Sequence, residues 1–154
     1  MKTLLSLVVA LAIVLPTGMA AAQQPAAPAA PMQYGSPINL EQAKKNNWPV
    51  AIVILDSGGQ MVMMQRLDNT QWGSVDIAKE KARTAVALRR PTKVLQDGIA
   101  QGGVNLRFLS TGFSVLEGGI PIVHDGKIIG SIGVSGVTSQ QDAQTAQAGQ
   151  DALK

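Results

Sequence analysis

The sequence predicts an α+β fold, an antiparallel sheet with helices on its faces, and three observations lead there. Two segments read as β-hairpins, one turning at Asp56-Ser57-Gly58-Gly59 and one at Asp125-Gly126. Between them lies one long stretch of helical periodicity, residues 74–89, and an Ala-rich segment opening with Ser139-Gln140-Gln141-Asp142 follows the second hairpin. Strands come in adjacent pairs instead of alternating singly with helices, which argues against a doubly wound parallel sheet.

Along the chain, residues 1–22 have the layout of a secretory signal peptide: Lys2 near the start, a nearly unbroken apolar run at 4–15, and small residues up to Ala22, after which cleavage is expected. Pro16 and Gly18 interrupt the run, and a spanning helix needs about 20 apolar residues, so no membrane insertion is expected once the leader is removed. Residues 23–33 form an Ala/Pro-rich linker, with Pro25, Pro28 and Pro31 favouring extended, solvated backbone. Residues 34–154 are then one domain, long enough to bury a core.

Within that domain, residues 40–45 predict a helix that Asn46-Asn47 and Pro49 stop almost at once. Residues 50–55 and 60–67 are the arms of the first hairpin; both are nearly continuous in apolar character, which predicts strands covered on two faces. Period-2 geometry would put Met61 and Met63 on one face and Met64 on the other. Ser74 is the expected N-cap of the long helix, whose buried stripe is Val75, Ala78, Ala82, Ala85 and Val86, small enough for close approach to a sheet. Pro91 ends it, Thr92 caps a short helix through residue 100, and Gly102-Gly103 closes that one. Residues 106–116 are compatible with a helical turn, a strand or both. Residues 120–124 and 127–134 flank Asp125-Gly126, which suits a type I′ turn with positive φ at both centres.

Composition narrows the function. There are 0 cysteines, so neither a disulfide framework nor covalent c-type haem is available. The formal charge of +3 drops to +2 without Lys2, and aromatics are 3% of the chain, so neither a basic footprint nor a stacking platform for nucleic acid is present.

The residues also carry a resemblance. Val53-Ile54-Leu55-Asp56-Ser57-Gly58-Gly59, Gln65-Arg66-Leu67-Asp68, Lys81-Ala82-Arg83-Thr84-Ala85 and Arg89-Arg90-Pro91-Thr92 resemble the GlcG/HbpS family of haem-binding proteins. Glu117-Gly118-Gly119-Ile120-Pro121-Ile122, Asp125-Gly126-Lys127-Ile128-Ile129-Gly130, Ile132-Gly133-Val134-Ser135-Gly136, Gln141-Asp142 and Ala148-Gly149 continue the resemblance in order and spacing. It covers residues 48–153 and extends to a domain appended to some corrinoid adenosyltransferases. It implies a profilin-like α/β/α sandwich with a five-stranded antiparallel sheet, assembly into a homo-oligomer, and non-covalent haem binding in periplasmic or secreted members, some linked to redox sensing or glycolate use. Relatives usually carry a first helix about three turns longer, and its loss removes apolar cover from one sheet face.

Set beside the resemblance, the individual side chains leave alternatives open. His124 is the only histidine; neutral imidazole is a common haem ligand, yet next to a hairpin turn and opposite Lys127 it also reads as an exposed tip residue. Bis-His ligation within one subunit is excluded, leaving Met61, Met63, Met64, Tyr34, a hydroxyl or a second subunit as partners, with core filling the plainer use of the methionines. Lys79, Lys81, Arg83, Arg89, Arg90 and Lys93 would pair with haem propionates or another small carboxylate, or form a solvated helix face. The resemblance implies that Lys81, Arg90 and Thr92 face the site, supported by Arg66 with Asp68. Gly118 and Gly119 would let backbone approach a ligand.

Two further motifs fail. Residues 130–136 lie within and after a hairpin strand, unlike a dinucleotide-binding fingerprint, and Val137 stands where a nucleophile elbow needs Gly. No catalytic nucleophile with its base, and no metal-ligand spacing, is evident; Asp56, Asp68, Glu117 and Asp142 are the carboxylates that folding would have to bring together. The expectation is an exported haem-binding protein, with an enzyme or accessory protein acting on a small carboxylate as the alternative.

Overall fold

The structure, a computed structural model, describes residues 41–152. The expected leader at 1–22, the linker at 23–33 and Tyr34 lie outside the described residues. Four strands form one antiparallel sheet: β1 (Ala51–Asp56), β2 (Met61–Arg66), β3 (Gly119–His124) and β4 (Lys127–Ser135), in the order β2-β1-β4-β3. Helix α2 (Gly73–Leu88) packs on one face; α1 (Glu41–Lys45) and α4 (Ser139–Asp151) share a core with the other. This is the α+β architecture read from the hairpins, with four strands among the described residues where the resemblance implies five. The ambiguous stretch supplies no further strand: it follows α3 (Lys93–Gln101) with a 3₁₀ segment, Gly103–Ser110, and then irregular backbone.

Both hairpins form for the reasons their sequences give. Asp56 Oδ1 accepts the N–H groups of Gly58 at 2.9 Å and Gln60 at 2.8 Å, closing the first turn. Asp125 and Gly126 take φ of 47° and 72°, the left-handed pair of a type I′ turn. Of the two strands of the first hairpin, however, only β1 is covered on both faces. Helix α2 lies over β1, β4 and β3, leaving β2 as a half-exposed edge. A bulge opposite Ile54 and Leu55 also breaks the alternation in β2. Met63 therefore packs on the core beside Val62, while Met61 and Met64 are exposed, not the pairing that strict alternation predicts.

The helix termini correct three further expectations. Ser74 lies inside α2, and its buried Oγ has no hydrogen-bond partner among the described residues. Thr92 occupies the N-cap position of α3 but caps nothing, because its hydroxyl is drawn away to Gly119. The capping box of α4 is Thr138 with Gln141, one residue earlier than expected: Thr138 Oγ1 accepts the Gln141 N–H, and the Gln141 side chain accepts the Thr138 N–H.

The seating of α2 explains its small-residue stripe. Gly119 and Gly133 are cross-strand partners on β3 and β4. A Cβ at Gly133 would run into Ala78 O and Ala82 N, and one at Gly119 into Lys81 O. The helix backbone thus rests directly on two glycines, and Ala78, Ala82 and Ala85 are fully buried. On the opposite face, Ile52, Ile54, Ile120, Ile122, Ile132 and Val134 meet Ala43 and Ala146.

Candidate functional site

The residues of the resemblance converge at the start of β3. A groove of about 410 Å³ opens there, between the N-terminus of α3, the segment Glu117-Gly118-Gly119-Ile120, and one face of α4. From α4 come Gln140, Ala143, Gln144 and Gln147, an i, i+3, i+4, i+7 stripe; from α3 and its approach come Pro91 and Lys93. A second hollow of about 420 Å³, between α1 and the loop after β2, takes only Asp68 from the residues singled out in the sequence.

The floor of the groove is fixed from behind. Gly118 has φ of 123°, and a Cβ there would meet Val134 O and Lys81 Nζ. Lys81 rises from α2 and is buried, donating to Val134 O at 3.0 Å and pairing with Asp142 Oδ2 of α4 at 2.7 Å. The side chains of this pair are 2% and 3% exposed, so the ion pair joins the two helical layers out of solvent. Burial pushes the Asp142 carboxyl above the usual carboxylate range, opposed by the Lys81 ammonium and the N–H groups of Val137 and Gly136. Thr92 grips the same loop: its N–H donates to Gly119 O at 2.9 Å, and its Oγ1 accepts the Gly119 N–H at 2.9 Å.

At the groove itself, Glu117 is held by Gln96 in two bonds. Glu117 N–H donates to Gln96 Oε1 at 2.9 Å, and Gln96 Nε2 donates to Glu117 Oε2 at 3.2 Å. Lys93 stands close enough for the Glu117 charge to reach it, and its pKa is raised, chiefly by the hydrogen bond to Asp97 at 2.9 Å. The groove therefore offers a cation, a fixed carboxylate, side-chain amides, and the apolar surfaces of Ile120, Pro91 and Ala143.

The candidate residues thus divide. Gly118 and Gly119 line the groove; Lys81 and Thr92 support it from behind without facing it. Arg90 precedes groove-lining Pro91, is exposed, and donates from Nε to Leu88 O at 3.1 Å. Arg66 ends β2 on the far edge of the sheet, and no ion pair joins it to Asp68. His124 lies at the other end of β3: five residue steps from Gly119 span about 16 Å. Its side chain is 61% exposed, with Nε2 3.5 Å from Asp125 Oδ2. Among the described residues, no group of three or more His, Cys, Asp and Glu is placed to hold a metal ion. The α4 stripe is not among the residues singled out from the sequence, although its helical spacing is legible there.

Comparison with known proteins places this geometry. The family model described as haem degrading protein HbpS-like matches residues 38–151. Protein GlcG of Escherichia coli is 43% identical over 96 residues, 62% of this chain and 70% of that protein. The crystal structure of a PduOC:haem complex superposes with a TM-score of 0.67 at 30% identity, covering 75% of this chain and 86% of that one. The crystal structure of HbpS superposes with a TM-score of 0.67 at 31% identity, covering 76% and 82%. With the family model matched over residues 38–151 and GlcG 43% identical over 96 residues, the chain belongs to the HbpS-like family.

Proposed function

We propose that this protein binds haem non-covalently in the groove over Gly118 and Gly119, as an exported, self-associating haem-binding protein that buffers haem or senses redox state through it. The observation that carries the reading is the groove's lining. At about 410 Å³ it falls within the range of roughly 300–1,000 Å³ typical of small-molecule sites. The residues present suit an amphipathic, planar dianion. Gly118 and Gly119 present bare backbone, Ile120, Pro91 and Ala143 give apolar contact, Lys93 supplies a cation for a propionate, and Glu117 an oxygen donor. Arg90 precedes groove-lining Pro91 and is exposed, though it does not itself line the groove. Bound haem would supply the redox-active iron; the chain's own part is to hold the macrocycle, pair its propionates and limit water at one face.

Family membership supports the same reading, since the PduOC relative was crystallised with haem. His124 and Arg66 lie away from this groove, and a role for them would require a contact across a subunit boundary. The presence of Lys93 and Glu117 in one groove favours one alternative, an enzyme or accessory protein acting on a small carboxylate such as glycolate: an ammonium for the carboxylate and a carboxylate to accept its hydroxyl. The two readings separate in a titration of purified residues 23–154 with haemin. Saturable growth of a shifted Soret band is expected, whereas unsaturable uptake together with saturable binding of glycolate would replace haem by the small acid.

A further inference from the structure

We infer that β2 is the surface through which two copies of this chain join, edge to edge and antiparallel, so that their sheets run on into one; this rests on the reading of the protein as self-associating. In the order β2-β1-β4-β3, β2 and β3 are the edges, and among the described residues no strand pairs with the outer side of either. An open edge presents unpaired N–H and C=O groups that another strand can satisfy. The β3 edge is protected: Pro121 has no N–H to offer, and Thr92 already takes both the N–H and the C=O of Gly119. By contrast, β2 contains no proline and carries a single charge, on its last residue, Arg66. It lacks the devices that keep an edge strand unpaired.

The bulge in β2 sets the register of such a pair. Cross-strand partners share a face, so Met61 and Met64, opposite Leu55 and Val53, lie on the α2 side of the sheet. Met63, opposite Ile54, and its neighbour Val62 lie on the α4 side. The facing is thus symmetric about the bond between Val62 and Met63. A two-fold antiparallel pair centred on that bond sets Met61 of one copy opposite Met64 of the other, and Val62 opposite Met63, with each pair on a matching face. A strictly alternating strand centred on a bond between residues would set every side chain against one on the wrong face. Met61 and Met64 are each 47% exposed where α2 leaves β2 uncovered, and the pairing gathers four such methionines into one cluster, whose flexible thioethers pack readily. The charges agree with this register. Arg66, which has no ion pair among the described residues, comes opposite Gly59 of the other copy, in the turn that Asp56 closes, and two-fold symmetry makes the contact twice.

Two measurements on residues 23–154 test this. In light scattering after gel filtration, Met64→Lys is expected to lower the number of subunits at least twofold while keeping the urea unfolding midpoint of the unaltered chain. Val104→Lys, at an apolar residue 70% exposed on the 3₁₀ segment, is expected to leave the subunit number unchanged. The chain has 0 cysteines, so introduced ones report the register without interference. Under mild oxidation, Met61→Cys combined with Met64→Cys is expected to give a covalent dimer on a non-reducing gel, because directly opposite residues have Cα atoms roughly 4.5–5.5 Å apart and a disulfide spans about 4.4–6.8 Å. Either substitution alone is expected to give none, its two thiols lying about 10 Å apart along the strands. An unchanged subunit number in Met64→Lys, no covalent dimer from the double variant, or equal cross-linking by a single one overturns pairing through β2 and leaves self-association standing. An unaltered chain that is monomeric instead removes the self-association on which the inference rests.

Discussion

Replacing Lys81 by Met isolates the buried ion pair behind the groove, because Met keeps the length of the stem and removes the charge. Asp142 is then left 3% exposed with no counter-ion, and breaking a buried pair on one side costs about 3–5 kcal/mol. The cost should depend on pH in a defined direction. Burial already raises the Asp142 pKa in the folded chain, and Lys81 is the main force holding it down, so the variant's value rises further. The unfolded value stays near 3.9. A carboxyl with a raised folded pKa binds its proton more tightly in the native state, so its contribution to stability is full below the unfolded value and is lost as pH rises through the folded value. Each unit of additional shift is worth about 1.4 kcal/mol. Urea unfolding should therefore show a deficit of about 3–5 kcal/mol at pH 8 that is smaller at pH 5. A remainder of about 1 kcal/mol, from the lost bond to Val134 O, should not vary with pH. A deficit below about 1 kcal/mol at pH 8, or an equal deficit at both pH values, would refute the argument.

Two other outcomes follow from the same structure. Gly133→Ala drives a methyl into Ala78 O and Ala82 N, so α2 must lift from the sheet; a loss of about 1–3 kcal/mol is expected by urea unfolding, and a change under about 0.5 kcal/mol would mean the helix is not seated on that glycine. Expressed from its first residue in a bacterial host, the chain is expected in the periplasmic fraction or medium with a mass beginning at Gln23; an uncleaved chain retained in the cytoplasm would remove export from the proposal.

The parts of the fold legible in the sequence are those set by short-range chemistry. Asp125-Gly126 specifies its turn because both φ values must be positive, and the stripe Ala78, Ala82, Ala85 announces a helix lying close on a sheet. Where tertiary contacts compete, local signals mislead. Thr92 has the right chemistry for a cap but bonds Gly119, 27 residues away, and the bulge in β2 reverses the facing of Met61 relative to Met63. The site divides in the same way. Glu117-Gly118-Gly119 stood out as a loop that invites a ligand, whereas Lys81 read as a cation facing that ligand. It is in fact consumed by Asp142, a partner 61 residues away that no spacing rule could select. The Gln96 clamp on Glu117 is equally non-local, spanning 21 residues.

The most direct test of haem binding in this groove is the haemin titration of residues 23–154, carried out in parallel on Ala143→Trp, which would fill the groove from its α4 wall. Saturation at one haem or fewer per subunit, lost in the variant while the unaltered chain keeps its shifted Soret band, is the expected result. Featureless uptake that never saturates, equal in the two proteins, would contradict it.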